Sequence, residues 1–407
     1  MHIDQLRTYK KILIAGYGVE GKSTEAFLRK YHPGAQVTIA DRLDGEDYLK
    51  RQTSFDIAIK TPSIAPASII IPYTTQANIF FANTTQKKIG ITGSKGKSTT
   101  SALLHYVLTN GNISAKLLGN IGYPMLDYFL GDMKEDDVFV IELSSYQLAD
   151  IRYSPHIACF LNIFADHIVQ HGSFQEYFKA KSNIVKYSLE SDYFVFNGAF
   201  PEIARLAQTT LAQSIDIAQS TKQMPKNQYL STDTIVAVRE MAKLCNISDE
   251  IFNKSVLSFP GLPHRLQRIG EFRGITFIND SSATTPEAAI FALKHVPKVD
   301  TLILGGLDRK LDIQELVDVA ISRGVSNYIL FPDTQEKIKH ALRKGGVSES
   351  AIFLCLNMHE AVRVCYQHAG DGGVCLLSPG FASYNSYKNF CARGDDFMQL
   401  VTQLSNQ

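Results

Sequence analysis

Short apolar runs alternate with segments of helical periodicity along nearly the whole chain. In the first part, residues 10–41 predict a strand, a glycine turn, a helix and a second strand. Strands joined through a helix in this way pair in parallel. The runs 56–63 and 78–85 are predicted to continue the pattern as strands. We therefore expect a small Rossmann-like domain over residues 1–86.

A second unit of the same kind begins at residue 87. A strand, a glycine-rich loop and a helix are predicted over residues 87–108, followed by strands at 137–145, 158–164 and 192–197 and a helix at 173–188. The polar segment 207–233 is predicted as loop, and 233–244 as helix. Residues 87–260 are expected to form a central parallel sheet of the P-loop ATPase type.

The third part repeats the alternation after residue 260. Strands are predicted near residues 275–280, 301–306, 327–332, 351–356 and 373–379, with helical segments such as 286–296 and 358–369 between them. A chain of 407 residues also exceeds the size at which one hydrophobic core keeps growing. The predicted fold class is α/β, with three domains in series: N-terminal Rossmann-like, central P-loop ATPase-like and, over residues 261–407, C-terminal Rossmann-like.

Composition and charge narrow the function to small-molecule chemistry. The formal charge is +1, so the chain lacks the basic field of a nucleic-acid-binding protein, and we expect no nucleic-acid partner. Its six cysteines show neither a CxxC pair nor the His spacing of a zinc site. The first apolar stretch is too short for a signal or membrane-spanning segment. We expect a cytoplasmic protein with no membrane partner, and a monomer.

The most informative motif lies between the predicted strand and helix of the second unit. It reads Thr92-Gly93-Ser94-Lys95-Gly96-Lys97-Ser98-Thr99. Glycines let backbone N–H groups face phosphate oxygens, Lys97 can reach the terminal phosphates, and Ser98 can bind Mg²⁺. The first glycine lies closer to the Gly-Lys-Ser than the strict Walker pattern demands. We interpret the motif as a nucleotide-binding loop rather than an incidental glycine turn.

An earlier glycine motif, residues 16–21, has dinucleotide spacing, and Asp41 ends the next predicted strand. An acid there can accept a hydrogen bond from a ribose or a uridine. A tight turn without a ligand and an NAD-dependent dehydrogenase are the alternatives. The second, triphosphate-type loop counts against a dehydrogenase, because hydride transfer has no use for a γ-phosphate site.

Three polar residues follow apolar strands of the second unit. Glu142 ends one predicted strand, where a carboxylate can hold Mg²⁺ near the loop, and water exposure is the alternative. Asp166 and His167 follow the next strand, and histidine is both a metal ligand and a donor to phosphate.

These motifs together resemble the Mur ligase family, in its D-glutamate-adding branch. The resemblance runs almost the full length in order. It is carried by residues 92–99, Gly119-Asn120-Ile121-Gly122, residues 142–148, Leu161-Asn162 with Asp166-His167, residues 261–265, Asn279-Asp280-Ser281 and Leu377-Ser378-Pro379. Single motifs are not specific, but their combination is.

The resemblance implies roles for the first two domains. The N-terminal domain would bind the UDP part of the substrate through Gly18, Val19, Glu20 and Asp41. In the central domain, residues 93–99 would bind ATP, and Asn120 and His167 would contact the UDP-linked substrate.

The same resemblance implies catalytic roles for Lys97, Glu142, His167 and Lys181. Ser98 and Glu142 would hold one Mg²⁺, and His167 a second. The second Mg²⁺ would also bind Lys181 as a carbamate. From the residues alone, Lys181 is predicted to be a solvated helix lysine.

For the C-terminal domain, the resemblance implies an amino-acid and ATP site. Arg265 and Asp280 would contact ATP, and Thr284 the incoming glutamate. Arg309 or Lys310 would pair with a glutamate carboxylate, for which a guanidinium offers bidentate geometry. The two remaining glutamate-binding residues would be Ser383 and Phe390, for which a surface loop is the alternative interpretation.

The implied activity is ATP-dependent addition of D-glutamate to UDP-N-acetylmuramoyl-L-alanine in peptidoglycan precursor synthesis. Lys95, Thr234 and Ser282 depart from the family pattern, which has Asn, Asn and Lys there, and the central domain is short. A Mur-type ligase for another amino acid or acceptor, such as L-glutamate, and a non-catalytic nucleotide-binding relative are the alternatives.

Overall fold

The structure, a computed structural model, describes residues 1–45, 47–165, 168–220, 224–227 and 230–405. It divides into two compact units, Met1–Phe259 and Pro260–Gln407. Three sheets with flanking helices make up the described chain, two in the first unit and one in the second. The predicted α/β class with three domains in series is confirmed. The exact domain boundaries stay predictions.

The first sheet has four parallel strands in the order β2-β1-β3-β4. Its elements are α1 Ile3–Leu6, β1 Lys11–Ala15, α2 Val19–Tyr31, β2 Gln36–Ala40, β3 Ile57–Lys60, β4 Tyr73–Thr75 and α3 Gln76–Ala82. Strand β3 is buried along its whole length, as expected for a parallel strand covered on both faces.

The second sheet has six parallel strands in the order β10-β9-β8-β5-β7-β6. Its elements are β5 Lys88–Thr92, α4 Lys97–Asn110, β6 Ala115–Gly119, β7 Val138–Glu142, α5 Ser145–Ala149, β8 Ile157–Phe160, α6 Ile168–His171, α7 Phe174–Ser182, β9 Tyr193–Phe196, α8 Pro201–Ala207, β10 Gln213–Asp216, α9 Thr232–Lys243 and α10 Asp249–Ser258. Strand β5 lies between β8 and β7, so the loop after it lies centrally at the carboxyl edge.

The third sheet, in the second unit, has the order β11-β12-β16-β13-β14-β15. Its elements are β11 Gln267–Phe272, β12 Ile275–Asn279, α11 Pro286–His295, β13 Thr301–Gly305, α12 Gln314–Ser322, β14 Asn327–Phe331, α13 Gln335–Lys344, β15 Ile352–Leu354, α14 Met358–His368, β16 Val374–Leu377 and α15 Phe390–Leu404. Only β11 runs antiparallel among these described strands.

Two predicted elements are wrong. The run 78–85, predicted as a strand, instead supplies most of α3, because the Thr75 side chain accepts the Asn78 N–H and caps a helix. Phe80 then packs edge-on against Phe139 of β7, so the apolar run is buried as a helix face. The segment 207–233, predicted as loop, contains β10, a polar edge strand whose sequence gives little apolar signal.

Three further strands were not predicted from the sequence: β4, β6 and the antiparallel β11. Residues of β6 are mostly only partly buried, so its hydrophobic pattern is weak.

Within the described part of the chain, each helix is too short or too polar to cross a membrane.

Candidate active site

The glycine-rich loop joins β5 to α4 at the carboxyl edge of the second sheet. Gly96, the residue before the helix, has φ 85°, a left-handed conformation that favours glycine. Helix α4 starts at Lys97, so Ser98 and Thr99 lie in its first turn and are partly buried. The N–H groups of this first turn make the loop a candidate anion site.

Asn162, which follows β8, holds this loop in shape. Its side-chain carbonyl accepts the Lys95 N–H at 2.9 Å, its amide donates to the Lys95 carbonyl at 3.0 Å, and its own carbonyl accepts the Ser94 N–H at 3.0 Å. Asn162 is thus a positioning residue that sequence reasoning recorded in a motif without giving it a role.

The Lys97 side chain turns back over the loop. Its Nζ donates to the carbonyl of Gly93 at 2.8 Å and to that of Ser94 at 3.0 Å. The ammonium group therefore lies at the loop itself, where bound phosphate oxygens would replace carbonyls as its partners.

Glu142 and Asn120 meet at the ends of the adjacent strands β7 and β6. Oε1 of Glu142 accepts from Asn120 Nδ2 at 2.9 Å, and the Asn120 N–H donates to the Glu142 carbonyl at 3.0 Å. Glu142 is 1% exposed, which rules out the alternative of a water-exposed carboxylate. Its Oε2 is buried without a hydrogen-bond partner among the described residues. A buried carboxylate oxygen with no donor fits a hard cation such as Mg²⁺.

Lys181 is 1% exposed, so the prediction of a solvated helix lysine is wrong. Its Nζ donates to the Gly93 carbonyl at 2.9 Å and to Thr92 Oγ1 at 3.2 Å. The Tyr177 ring lies 5.1 Å from this nitrogen, and the Tyr177 hydroxyl is 3.0 Å from Ser94 Oγ. Helix α7 therefore brings a lysine and a tyrosine to the start of the nucleotide loop.

The predicted metal ligand His167 and its neighbour Asp166 lie outside the described residues. Among the residues that are described, no group of three His, Cys, Asp or Glu side chains is arranged to hold a metal ion. The predicted second Mg²⁺ site and the carbamate on Lys181 stay predictions.

The first glycine turn, between β1 and α2, is used differently. The Asp41 carboxylate accepts the Tyr17 N–H at 2.6 Å and the Leu43 N–H at 3.1 Å, and these bonds lower its pKa. Gly18 and Val19 are exposed, Val19 at 74%. Asp41 thus supports the turn that contains these predicted UDP-binding residues.

Glu20, also predicted to bind UDP, faces the second sheet instead. Its Oε1 accepts from Gln147 Nε2 of α5 at 2.8 Å. Burial raises the Glu20 pKa from 4.5 to about 7, although the Gln147 bond and the Lys60 charge oppose the shift. A half-protonated acid pointing at α5 is a poor phosphate ligand.

A cavity of about 910 Å³ opens within the first unit. Arg42, Tyr48 and residues 62–68 line it from the first sheet, and Tyr146 and His171 are among those that line it from the second. Its volume suits a drug-sized or larger ligand. Sequence reasoning missed Arg42, although a cation directly after Asp41 was visible as a signal.

In the second unit, Asp280 follows β12 at the carboxyl edge of the third sheet. Its carboxylate accepts from Ser378 Oγ at 2.7 Å and from the Leu266 N–H at 3.1 Å. Burial raises its pKa to about 7 against the opposing effect of these bonds and of Arg265 and Arg393. Arg265 is exposed, so its guanidinium is available to a phosphate.

Loops after three adjacent strands bring the predicted glutamate-binding residues together. Arg309 Nη2 donates to the Thr284 carbonyl at 2.6 Å, and the Leu307 N–H donates to the Ala382 carbonyl at 2.9 Å. Lys310 has φ 58°, and its N–H donates to Asp308 at 2.7 Å. Of the two predicted cations, Arg309 is thus the one bonded to another predicted pocket residue.

The surface-loop alternative for Ser383 and Phe390 holds only in part. Ser383 is 3% exposed, whereas Phe390, the first residue of α15, is 37% exposed. Arg393, missed by sequence reasoning, donates to Ser281 Oγ at 3.0 Å and to the Phe381 carbonyl at 3.1 Å. This buried arginine joins the loops that begin at Ser281 and Phe381, and burial lowers its pKa to about 10.

Comparison with known proteins agrees with this arrangement. The sequence profile of the Mur ligase middle domain matches residues 91–262, and that of the Mur ligase glutamate ligase domain matches residues 264–381. The chain belongs to the Mur ligase family.

Individual relatives match over nearly the full chain. A UDP-N-acetylmuramoylalanine–D-glutamate ligase from Streptococcus agalactiae serotype III is 30% identical, covering 98% of this chain and 98% of that protein. One of the same name from Enterococcus hirae is 31% identical, covering 98% and 97%. In fold, the UDP-N-acetylmuramate–alanine ligase structure from Thermotoga maritima has a TM-score of 0.64 at 14% identity, covering 98% of this chain and 100% of that one.

One departure from the Mur ligase pattern, Thr234, is bonded to the N-cap residue of α9, Ser231. Thr234 lies in the first turn of α9 and is 6% exposed. Its hydroxyl accepts from Ser231 Oγ at 3.0 Å, and its N–H donates to the same oxygen at 3.2 Å. In this Mur ligase, Thr234 is therefore bonded to the residue that caps the helix.

Proposed function

We propose that this Mur ligase joins D-glutamate to UDP-N-acetylmuramoyl-L-alanine, using ATP and an acyl-phosphate intermediate. The observation that carries the proposal is the buried Glu142 oxygen, which has no donor among the described residues and lies beside the nucleotide loop. The chain is also 30% identical, over nearly its full length, to a ligase of that name. A non-catalytic relative has no use for such a costly group.

ATP is proposed to bind at residues 93–99, with Lys97 on the terminal phosphates. Ser98 and Glu142 would hold one Mg²⁺, which neutralises phosphate charge when bound. Lys181, as a carbamate, and His167 would hold a second. This assignment is supported by the hydrogen bond from Lys97 Nζ to the Gly93 carbonyl in the loop. It is also supported by the burial of Lys181 against Thr92 and Gly93.

The UDP-linked substrate is proposed to occupy the 910 Å³ cavity of the first unit. Arg42 can pair with an anionic group of this ligand, and Asp41 can contact the uridine. Asn120, bonded to Glu142, would orient the muramoyl end near the nucleotide.

The second unit is proposed to hold glutamate and part of ATP. Arg309, oriented by its bond to the Thr284 carbonyl, would pair with a glutamate carboxylate, and Ser383 and Phe390 would complete that pocket. Arg265 and Asp280 would contact phosphate and adenosine.

The reaction then balances in two steps. The substrate carboxylate attacks the γ-phosphorus, the bond to the bridging oxygen breaks, and ADP leaves with that electron pair. The glutamate amine next attacks the acyl carbon, loses a proton and expels phosphate, which gives the amide. Positioning of both partners accounts for much of the rate.

The test is phosphate release from ATP with UDP-N-acetylmuramoyl-L-alanine and either D-glutamate, L-glutamate or no amino acid, with the product checked by mass. Release and amide formation that need D-glutamate are expected. Ser282, in place of the family's lysine, favours the L-glutamate alternative enough to make that arm necessary.

Glu142→Gln keeps the Asn120 contact but removes the charge, so it should lower turnover by roughly 10²-fold. Glu250→Gln, on the exposed first turn of α10, is the matched control and should keep full activity. Turnover with L-glutamate alone, or none with either amino acid, would overturn the proposal.

A further inference from the structure

Helix α5 is bonded at two positions to elements of the N-terminal part, namely to Glu20 of α2 and Lys60 of β3. Gln147 donates to Glu20 at 2.8 Å, as described above. Three residues further on, at the helix end, Asp150 pairs with Lys60 at 2.6 Å between Nζ and Oδ2. Residues three apart on a helix lie on the same face, so one face of α5 is held twice.

The Lys60–Asp150 pair is almost free of water. The Lys60 side chain is 1% exposed and that of Asp150 is 5% exposed. Tyr73 donates its hydroxyl to Asp150 Oδ1 at 2.8 Å, and Asn78 donates its side-chain amide to the Asp150 carbonyl at 2.8 Å. A buried ion pair is seldom a net source of stability, so its presence needs another reason.

That reason is suggested by what the pair connects. Lys60 Nζ also donates to the Ile64 carbonyl at 2.9 Å, which fixes the start of the 62–68 segment. This segment lines the 910 Å³ cavity, as do Lys60 itself and, from α5, Tyr146 and Ala149. Both walls of the cavity are therefore tied to one buried charge pair.

The same helix follows closely after Glu142, the proposed Mg²⁺ ligand. Strand β7 ends at Glu142, and α5 begins three residues later, after a capping box formed by Ser144 and Gln147. Glu142 itself is held in β7 between β5 and β6, so a shift of α5 would move the cavity wall relative to Glu142.

From these contacts we infer that Lys60 and Asp150 are positioning residues, which set the cavity walls for the UDP-linked substrate relative to Glu142. Tyr73 assists by fixing the Asp150 carboxylate. This inference rests on the proposed function, because it takes the cavity to be the UDP-substrate site. Among the described residues, the side chain of Lys60 and the oxygens of Asp150 bond to Ile64, Tyr73, Asn78 and each other, none of which is proposed to bind ATP. We therefore expect the affinity for ATP to be independent of the pair.

The test compares the wild-type chain with Lys60→Met/Asp150→Asn, which removes both charges and leaves neither unpaired. The KM and the directly titrated Kd for UDP-N-acetylmuramoyl-L-alanine should rise by roughly tenfold to a hundredfold, with the KM for ATP within about twofold of wild type. Arg239→Met/Asp249→Asn, which removes an ion pair between α9 and α10, is the matched control and should leave both KM values unchanged.

Tyr73→Phe covers the case in which the double variant does not fold. It deletes one hydrogen bond and should raise the KM for the UDP-linked substrate by about threefold or more. A folded variant of either kind with wild-type Kd for that substrate would overturn the inference and make the pair purely structural. Failure of the wild-type chain to bind the substrate would instead overturn the proposed function.

Discussion

The two glycine turns of the first unit, at residues 16–21 and 93–96, have the same local construction. Each follows a buried parallel strand and leads into a helix, α2 or α4. Each contains a glycine with a left-handed φ, 90° at Gly16 and 85° at Gly96. Backbone conformation alone gives both the character of an anion site.

Their side chains make them different. In the first turn the Asp41 carboxylate already takes the Tyr17 N–H, and Glu20 adds a second acid. At the second turn two lysines, Lys97 and Lys181, lie over the loop carbonyls. The comparison teaches that the glycine pattern selects a turn, while the neighbouring charges select its ligand.

The largest expected effect distinguishes the turns directly. If Lys97 binds the terminal phosphates as proposed, Lys97→Ala should lower turnover by roughly 10²- to 10³-fold, because the transferred phosphoryl group would lose a cation. Lys22→Ala, in the first turn of α2, is the equivalent change at the other turn and should leave turnover within about twofold. Equal losses in steady-state assays of the two variants would contradict the difference in ligand.

Lys181→Ala tests the second lysine. Turnover should fall by roughly 10²-fold or more, because the proposed carbamate ligand of the second Mg²⁺ is lost. An added small carboxylate could take the place of that ligand and should restore part of the turnover. Activity is measured with and without formate or acetate, and Lys254→Ala on the exposed face of α10 is the control. A folded variant without any rescue would leave the carbamate unsupported.

Glu20→Gln tests the acid of the first turn through pH. The folded-state pKa of about 7 lies above the ordinary 4.5, so the folded chain binds this proton more tightly. The corresponding stability is present below pH 4.5 and is lost as pH rises through 7. Above pH 7 the variant should therefore be more stable than wild type by about 1–3 kcal/mol, a difference that vanishes near pH 4.5.

Denaturant unfolding at several pH values measures this difference. For Glu25→Gln in the same helix, the change in stability with pH should have the opposite sign, because the hydrogen bond from Tyr17 lowers the Glu25 pKa. Its stabilising contribution is present at neutral pH and lost as pH falls. Parallel trends for the two variants would show that Glu20 is not a buried acid with a raised pKa.

The smallest effect is expected for Asp41→Asn. The neutral side chain can still accept the Tyr17 N–H, so stability should fall by only about 1 kcal/mol. If Asp41 also contacts uridine, the KM for the UDP-linked substrate should rise severalfold. Asp44→Asn, the other half of the capping box, is the control, and equal KM values for the two variants would remove Asp41 from the ligand site.

Local patterns predicted most strands, and the reasons for the misses are physical. The run 78–85 is apolar enough for a strand, but Thr75 caps a helix there and Phe80 packs against the aromatic ring of Phe139 on β7. Strand β10 is a polar edge strand, and its pairing with β9 cannot be recognised from its own sequence. Short apolar runs and edge strands are ambiguous until the packing is known.

The residues of the site likewise fall into those that the sequence could identify and those that it could not. Lys97, Ser98 and Glu142 were identifiable because strand ends and glycine loops mark the carboxyl edge of a parallel sheet. Lys60 was not, since a lysine at the end of an apolar strand shows no sign of its partner Asp150, 90 residues away. Lys181 was predicted to be exposed because lysines are rarely buried, whereas the fold places its side chain on the Gly93 carbonyl.

By itself the sequence determined the α/β alternation, the two glycine turns and the order of the family motifs, because these depend on residues close together in the chain. The tertiary structure decided which charges are buried and what they face. It paired Lys60 with Asp150, placed Lys181 on the loop, turned Glu20 toward α5 and, within the described part of the chain, left one Glu142 oxygen without a donor. Such contacts join distant segments, and their electrostatics follow from desolvation, which only the packed fold determines.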